Sequence, residues 1–192
     1  MIIPEQIKNS FILQSQRSVG DFKTQLEQEY NFLIPYLPKT CETIWDIGAG
    51  LGGIDVFLSK HYNVPEIYLT DYNIVDDKIF FGFNQVYCAY NNFEMSKQLM
   101  EANGITNYLF DDLNGTRRLP RYADIVISLL SCGFHYPVST YLNEIITRTL
   151  TGAVLILDMR HGHDQCPELA PYFETMAMLP YRKWYRYIGV RK

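Results

Sequence analysis

Four glycines fall within six positions of the run Asp46-Ile-Gly48-Ala-Gly50-Leu-Gly52-Gly53. Glycine lets a backbone turn sharply and approach a ligand closely. A helix opening behind such a run presents unpaired N–H groups. Gly48, Gly50 and Gly53 satisfy the G-x-G-x-x-G spacing of a dinucleotide site. Asp71 ends the next apolar run, where a carboxylate can accept both hydroxyls of a ribose. Asp46 weighs the other way. It stands two residues before the first glycine, and a carboxylate there repels a pyrophosphate in a partly dry site. A cationic sulfonium carrying an ammonium group suits it better. Length agrees, since a dehydrogenase needs a further domain to hold its substrate and 192 residues leave no room for one.

Two other stretches carry side chains able to move protons or hold anions. In Ser131-Cys-Gly-Phe-His135-Tyr136-Pro137, His135 is the base candidate because imidazole titrates near neutrality. The alternative is a histidine that only hydrogen-bonds its own loop. Tyr136 can pack on a substrate or a cofactor. The densest polar cluster is Asp158-Met-Arg160-His161-Gly-His163-Asp164-Gln-Cys166. There Arg160 can hold a carboxylate or phosphate with two parallel bonds, and His161 or His163 can share base duty. His161-x-His163-x-x-Cys166 offers zinc-type ligands, but the spacing matches no usual zinc signature, so no metal is expected. Asp111 and Asp112 follow a third apolar run, as ligand contacts or as a solvated loop.

These side chains need elements to position them. Phe22, Leu26, Tyr30 and Leu33 recur at helical spacing, which predicts a helix over 21–36 stopped by Pro35 and Pro38. Short apolar runs predict strands at 43–47, 67–71, 107–110, 124–130 and 153–157. Helices are predicted between them over 53–61, 91–103 and 140–150. Continuous rather than alternating apolar strands call for helices on both faces. The alternation of strand and helix then gives a parallel, doubly wound α/β sheet. Residues 184–191 can add one or two edge strands, and 72–90 shows no clear period.

Composition narrows the classes. With 47% hydrophobic and 20% charged residues the chain is globular, and it has one domain's length. No 18-residue apolar run occurs, so no membrane span is expected. Pro4, Glu5, Gln6 and Lys8 stand where a signal peptide needs an apolar stretch, and the four cysteines form no CxxC pair. A cytoplasmic protein with reduced thiols is the expectation. The net charge of −4 disfavours nucleic acid as a partner. Against that, Arg182, Lys183, Arg186, Arg191 and Lys192 interleave with Tyr181, Trp184, Tyr185 and Tyr187, a mixture that suits stacking on bases. The other reading is an edge strand with a solvated charged face and inward aromatics.

Asp46-x-Gly48-x-Gly50-x-Gly52 resembles motif I of the class I S-adenosylmethionine-dependent methyltransferases. The resemblance covers roughly residues 43–192. It implies a Rossmann-like, mostly parallel sheet of seven strands with a C-terminal antiparallel hairpin. It makes 41–192 the methyltransferase domain and 1–40 an N-terminal helical cap forming part of the lid. By position, Asp46, Gly48, Gly50 and Gly52 border the methionine moiety of S-adenosylmethionine, and Asp71 takes the ribose hydroxyls with Tyr72 beside it. Asp111, with Asp112 as its neighbour, meets the adenine, and Ser128 lies beside the methyl group. His135, His161 and His163 are then the candidate bases, and Tyr136 and Arg160 the acceptor contacts. Family members that methylate base amines carry Asn or Asp, two prolines and an aromatic after the fourth strand. Ser131-Cys132-Gly133-Phe134 stands here instead, which argues against that acceptor. The expected activity is methyl transfer to a hydroxyl or amine of a small polar metabolite or sugar. The alternatives are an RNA or DNA methyltransferase, a non-catalytic binding protein, or a nicotinamide binder.

Overall fold

The computed structural model describes residues 1–8, 19–63, 65–73, 79–81, 84–86, 92–162 and 165–192, with only the backbone of 19–21, 79–81 and 84–86. Helix α1 (Val19–Leu33) precedes β1 (Thr43–Ile47) and α2 (Gly53–His61). Next come β2 (Glu66–Asp71), a short hairpin of β3 (Ile79–Phe81) and β4 (Asn84–Val86), α3 (Phe93–Ala102) and β5 (Tyr108–Asp112). The chain continues through β6 (Ala123–Ser128), α4 (Leu142–Thr147), β7 (Thr149–Arg160), α5 (Cys166–Leu169), β8 (Phe173–Pro180) and β9 (Trp184–Arg191).

Seven strands form one sheet in the order β5-β2-β1-β6-β7-β9-β8. The first five are parallel, while β9 runs antiparallel to both β7 and β8. The chain winds outward from β1 through β2 to β5, then returns to β6 on the other side of β1. That reversal opens a crevice at the carboxyl ends of β1 and β6, where open α/β sheets bind ligands.

β1 shows why its apolar run has no alternation. Ile44 packs on one face of the sheet with Ile54 and Leu58 of α2, Leu99 and Met100 of α3, and Leu33 of α1. Trp45 and Ile47 pack on the other with Tyr141, Ile145, Leu169 and Phe173. Both faces are dry, as the run predicts. The second face carries the lighter cover, since α4 has 6 residues and α5 has 4.

Three elements differ from the sequence expectation. The helix predicted over 140–150 is cut to Leu142–Thr147, and Thr149 already belongs to a 12-residue β7. Thr147, Thr149 and Thr151 are β-branched, and the Thr149 hydroxyl donates to the Ile145 carbonyl at 2.7 Å, closing the helix. β8 completes the expected C-terminal hairpin but comes from 173–180 rather than from 184–191, because an edge strand with Glu174, Thr175, Met176 and Met178 exposed lacks a buried apolar run. It displaces β9 from the edge, so the charged residues of β9 do not lie on a solvated rim. Among the described residues no helix is long and apolar enough to cross a membrane.

Candidate active site

β1 ends at Ile47 and the glycine loop starts at the crevice. Gly48 and Gly52 have φ of +75° and +73°, a left-handed conformation that costs other residues about 1–2 kcal/mol. Space demands glycine as well. A Cβ on Gly48 would stand 2.1 Å from Ser131 Oγ, and one on Gly52 would stand 2.3 Å from Met100 Cε. The loop is therefore clasped by the segment after β6 on one side and by α3 on the other. Gly48 and Ala49 both donate their N–H to the Thr70 carbonyl, at 2.7 and 3.1 Å.

Asp71, 6% exposed at the end of β2, binds the same loop. Its Oδ2 accepts the Gly50 N–H at 2.8 Å and its Oδ1 accepts the Tyr72 N–H at 2.7 Å. Burial pushes its pKa up to about 6 against those two donors, leaving it ionised at neutral pH. Tyr72 is half-buried beside it. Tyr136, across the crevice, has its phenol pKa raised by burial and by the nearness of Tyr72 and Asp71.

Asp46 and Asp55 form a feature that spacing did not reveal. Asp46, 3% exposed, faces the first turn of α2, where Asp55 is fully buried. With both ionised, Asp46 Oδ1 and both Asp55 oxygens lack a donor. Burial, then Asp55, then Asp71 drive the Asp46 pKa well up, so Asp46 holds a proton and donates it to Asp55. Burial raises Asp55 to about 6, although the Asp46 proton lowers it. The helix N-terminus favours the anion there as well. The negative charge expected on Asp46 thus resides on Asp55 and Asp71.

Asp111 and Asp112 occupy opposite faces of β5. Asp111 is fully buried. It accepts the Thr70 hydroxyl at 2.8 Å, Arg117 Nε at 2.9 Å and the Arg118 N–H at 2.6 Å. Thr70 in turn accepts Trp45 Nε1–H at 2.7 Å, so a polar chain runs across three strands. These bonds fasten the loop before β6 and engage both Asp111 oxygens within the protein. Asp112 pairs in register with Asp71 at the crevice edge and accepts the N–H of Asn73 and Asn114 at 3.3 and 2.9 Å. Ser128 is also turned inward: its hydroxyl donates to the Ile47 carbonyl at 2.6 Å and accepts the Cys132 N–H at 2.8 Å. It holds the start of the 131–136 loop.

That loop is a tight turn. The Ser131 carbonyl accepts the N–H of Phe134, His135 and Tyr136, and Gly133 N–H returns to the Tyr136 carbonyl. His135 is exposed at its tip, and burial followed by the Arg160 charge lowers its pKa below the usual 6.5. It is therefore neutral at pH 7 and able to accept a proton. Burial pushes the Cys132 thiol up to about 12, which removes it as a nucleophile. Arg160 closes β7, its N–H bonded to the Gly133 carbonyl at 3.1 Å. His161 instead meets the β8–β9 turn, with Nε2 donating to the Tyr181 carbonyl at 3.0 Å. His163 lies outside the described residues.

No protein-family model and no curated protein matches the sequence. Solved structures do match in shape. A methyltransferase from Pyrococcus furiosus has a TM-score of 0.61 at 14% identity, over 87% of this chain and 82% of that one. Magnesium protoporphyrin IX methyltransferase from Synechocystis, solved with bound S-adenosylmethionine, has a TM-score of 0.57 at 18% identity, over 89% and 80%. An rRNA methylase from Streptococcus thermophilus has a TM-score of 0.52 at 16% identity, over 85% and 94%. The fold is that of the class I methyltransferases.

One group in this methyltransferase fold escaped the sequence reading. Arg186 of β9, 1% exposed, grips Asp158 of β7 with two bonds, Nε to Oδ1 at 2.7 Å and Nη2 to Oδ2 at 3.0 Å. Its Nη1 reaches Glu29 of α1, and its guanidinium lies over Tyr181 and Trp184. Burial opposes the charge, yet the two carboxylates outweigh it and raise the Arg186 pKa. Asp158 also accepts the N–H of Leu130, whose φ of 60° is unusual for a leucine. Helix α1 and the 131–136 loop are thereby tied to one buried ion cluster. The pairing of β7 with β9 sets Arg186 against Asp158 and α1 brings Glu29, and no local spacing announces either.

Proposed function

We propose that this chain transfers the methyl group of S-adenosylmethionine to a hydroxyl or amine of a small polar metabolite or sugar. The observation that carries it is Asp71, an ionised carboxylate fixed beside the glycine loop by the Gly50 and Tyr72 N–H groups. The residues fit this cofactor. Asp71 has acceptor capacity of the kind ribose hydroxyls need, and Asp55 and Asp71 together make a negative site for a sulfonium. Tyr72 and Tyr136 would flank the nucleoside, Asp112 would stand at its far edge, and Gly48, Gly50 and Gly52 would run beside the methionine. S-adenosylmethionine would supply an electrophilic methyl carbon on a good leaving group.

The protein's part is positioning and proton removal. His135 would accept the proton that the acceptor oxygen or nitrogen loses as it forms its bond to carbon. Its lowered pKa keeps it in the receiving form at pH 7. His161, committed through Nε2 to a carbonyl, is the weaker base. His163 remains a candidate on sequence grounds alone. A nucleic-acid acceptor loses part of its support, since Arg186 and Tyr187 are buried and Tyr181 stacks on Trp184 at 3.6 Å. Calorimetry with S-adenosylhomocysteine and NADH, followed by methyl-label transfer into a metabolite extract, tests the reading. Tight NADH binding without S-adenosylhomocysteine binding refutes it. Cofactor binding with no label transfer to any acceptor assigns a non-catalytic binding protein.

A further inference from the structure

Arg160 ends β7 at the carboxyl end of the parallel strands, where the glycine loop also starts. Its guanidinium carbon lies 5.6 Å from the centre of the Phe134 ring, and Phe134 meets His135 edge-on at 5.0 Å. The backbone bond from Arg160 to Gly133 fixes strand end and loop together. Arg160 is exposed and has no ion-pair partner among the described residues. Arg117 and Arg186 differ, each holding a buried aspartate. More cations collect nearby. Arg160 pairs in register with Trp184, and the His161 N–H bonds the Lys183 carbonyl at 3.3 Å, bringing exposed Arg182 and Lys183 to the same rim. In a chain of net charge −4 this is a local excess. Two residues on from Phe134, Tyr136 is 40% exposed and near enough to Tyr72 and Asp71 for their charges to add to burial in raising its phenol pKa.

Resting on the methyltransferase reading, we propose that the acceptor is an anion whose carboxylate or phosphate docks on Arg160 and whose flat or apolar body lies against Phe134 and Tyr136. An isolated surface ion pair is worth little. A guanidinium held over a ring is different, because its plane is oriented and its N–H edge is presented for two parallel bonds. The acidic end of the crevice, at Asp71 with Asp55 buried behind the glycine loop, suits a cationic donor, and the basic end suits an anionic acceptor. Opposite charges at the two ends would set the direction in which the two substrates lie. A nucleic-acid strand needs a row of cations. Here Arg186 is buried on Asp158 and Glu29, and Arg191 bonds the Tyr172 carbonyl at 2.9 Å.

The test uses full-length protein with labelled histidine, saturated with S-adenosylhomocysteine. Phenyl phosphate, benzoate and neutral phenol are titrated separately while the His135 imidazole signal is followed by NMR. Phenyl phosphate or benzoate should shift that signal saturably, and their relative affinities identify the anionic group. Arg160→Gln should weaken the tighter anion by about tenfold or more, and Arg160→Lys should fall between. Arg160→Gln should also raise the His135 pKa in the anion-free protein, which reports the nearness of the two groups independently of binding. S-adenosylhomocysteine affinity should stay within about twofold. Equal anion affinity in Arg160→Gln, or phenol binding as tightly as the anions, overturns the proposal. So does single-stranded RNA that displaces phenyl phosphate with a salt dependence of several released ions. Failure of wild-type protein to bind S-adenosylhomocysteine sinks the methyltransferase reading instead, a separate outcome.

Discussion

Replacing Asp55 with Asn should stabilise the protein at pH 8 and by much less at pH 4.5. Asp55 is fully buried, and its pKa rises from 3.8 to about 6 because burial penalises the charge. Such a group binds more protons folded than unfolded between those two values. Its favourable contribution is therefore complete below the unfolded pKa and is lost as pH rises through the folded one. A shift of about two units corresponds to about 3 kcal/mol of penalty above pH 7. Asn keeps the shape and removes the charge. It also forgoes the helix-terminus attraction of α2, worth up to about 1 kcal/mol. The expected net gain is on the order of 2 kcal/mol at pH 8. Urea unfolding at pH 4.5, 6 and 8, with the slope checked for constancy, reads this directly. Wild-type stability should fall between pH 4.5 and 6.5, and that of Asp55→Asn should fall less. A variant destabilised equally at every pH would refute the shared-proton argument. The gain should carry a functional cost, with S-adenosylmethionine losing more affinity than the neutral S-adenosylhomocysteine.

Other perturbations probe the remaining contacts. Gly48→Ala should cost about 1–2 kcal/mol from backbone strain alone, with more from the collision with Ser131; adding Ser131→Gly should recover only the collision part in urea unfolding. Arg186→Met should cost about 3–5 kcal/mol by stranding Asp158, and Asp158→Leu on top of it should restore much of the loss in thermal unfolding. His135→Ala should lower kcat by about 10²–10⁴ while S-adenosylhomocysteine affinity holds. In the wild type, kcat/KM should rise with pH through a midpoint below 6.5, since Arg160 and burial both lower the His135 pKa. A midpoint at or above 6.5, or an unaltered kcat in the variant, would remove His135 from the chemistry.

The parallel half of the sheet was legible because its strands announce themselves. The run 43–47 can only be a strand dry on both faces, and the glycines after it can only be a turn. Asp71 was legible for the same reason, since it ends the next such run. Where the reading stopped, the deciding forces were tertiary. Asp111 and Ser128 carry plausible polar groups at plausible strand ends, but only the neighbouring strands reveal that Thr70, Arg117 and the Ile47 carbonyl engage them. Arg186 looked like a solvated cation because β8, with its exposed methionines, gave no sign that it would cover β9. The charge on Asp46 could not be read from a motif, as it depends on a second carboxyl nine residues further on.

A site with Asp71 at one end should take S-adenosylmethionine rather than a dinucleotide. A crystal structure of the protein grown with S-adenosylhomocysteine and NADH in equal excess tests it most directly. S-adenosylhomocysteine should lie in the crevice, its ribose hydroxyls on the Asp71 carboxylate and its homocysteine beside Gly48 and Gly50. A diphosphate seated on the glycine-loop amides, with the thioether compound absent, would contradict it.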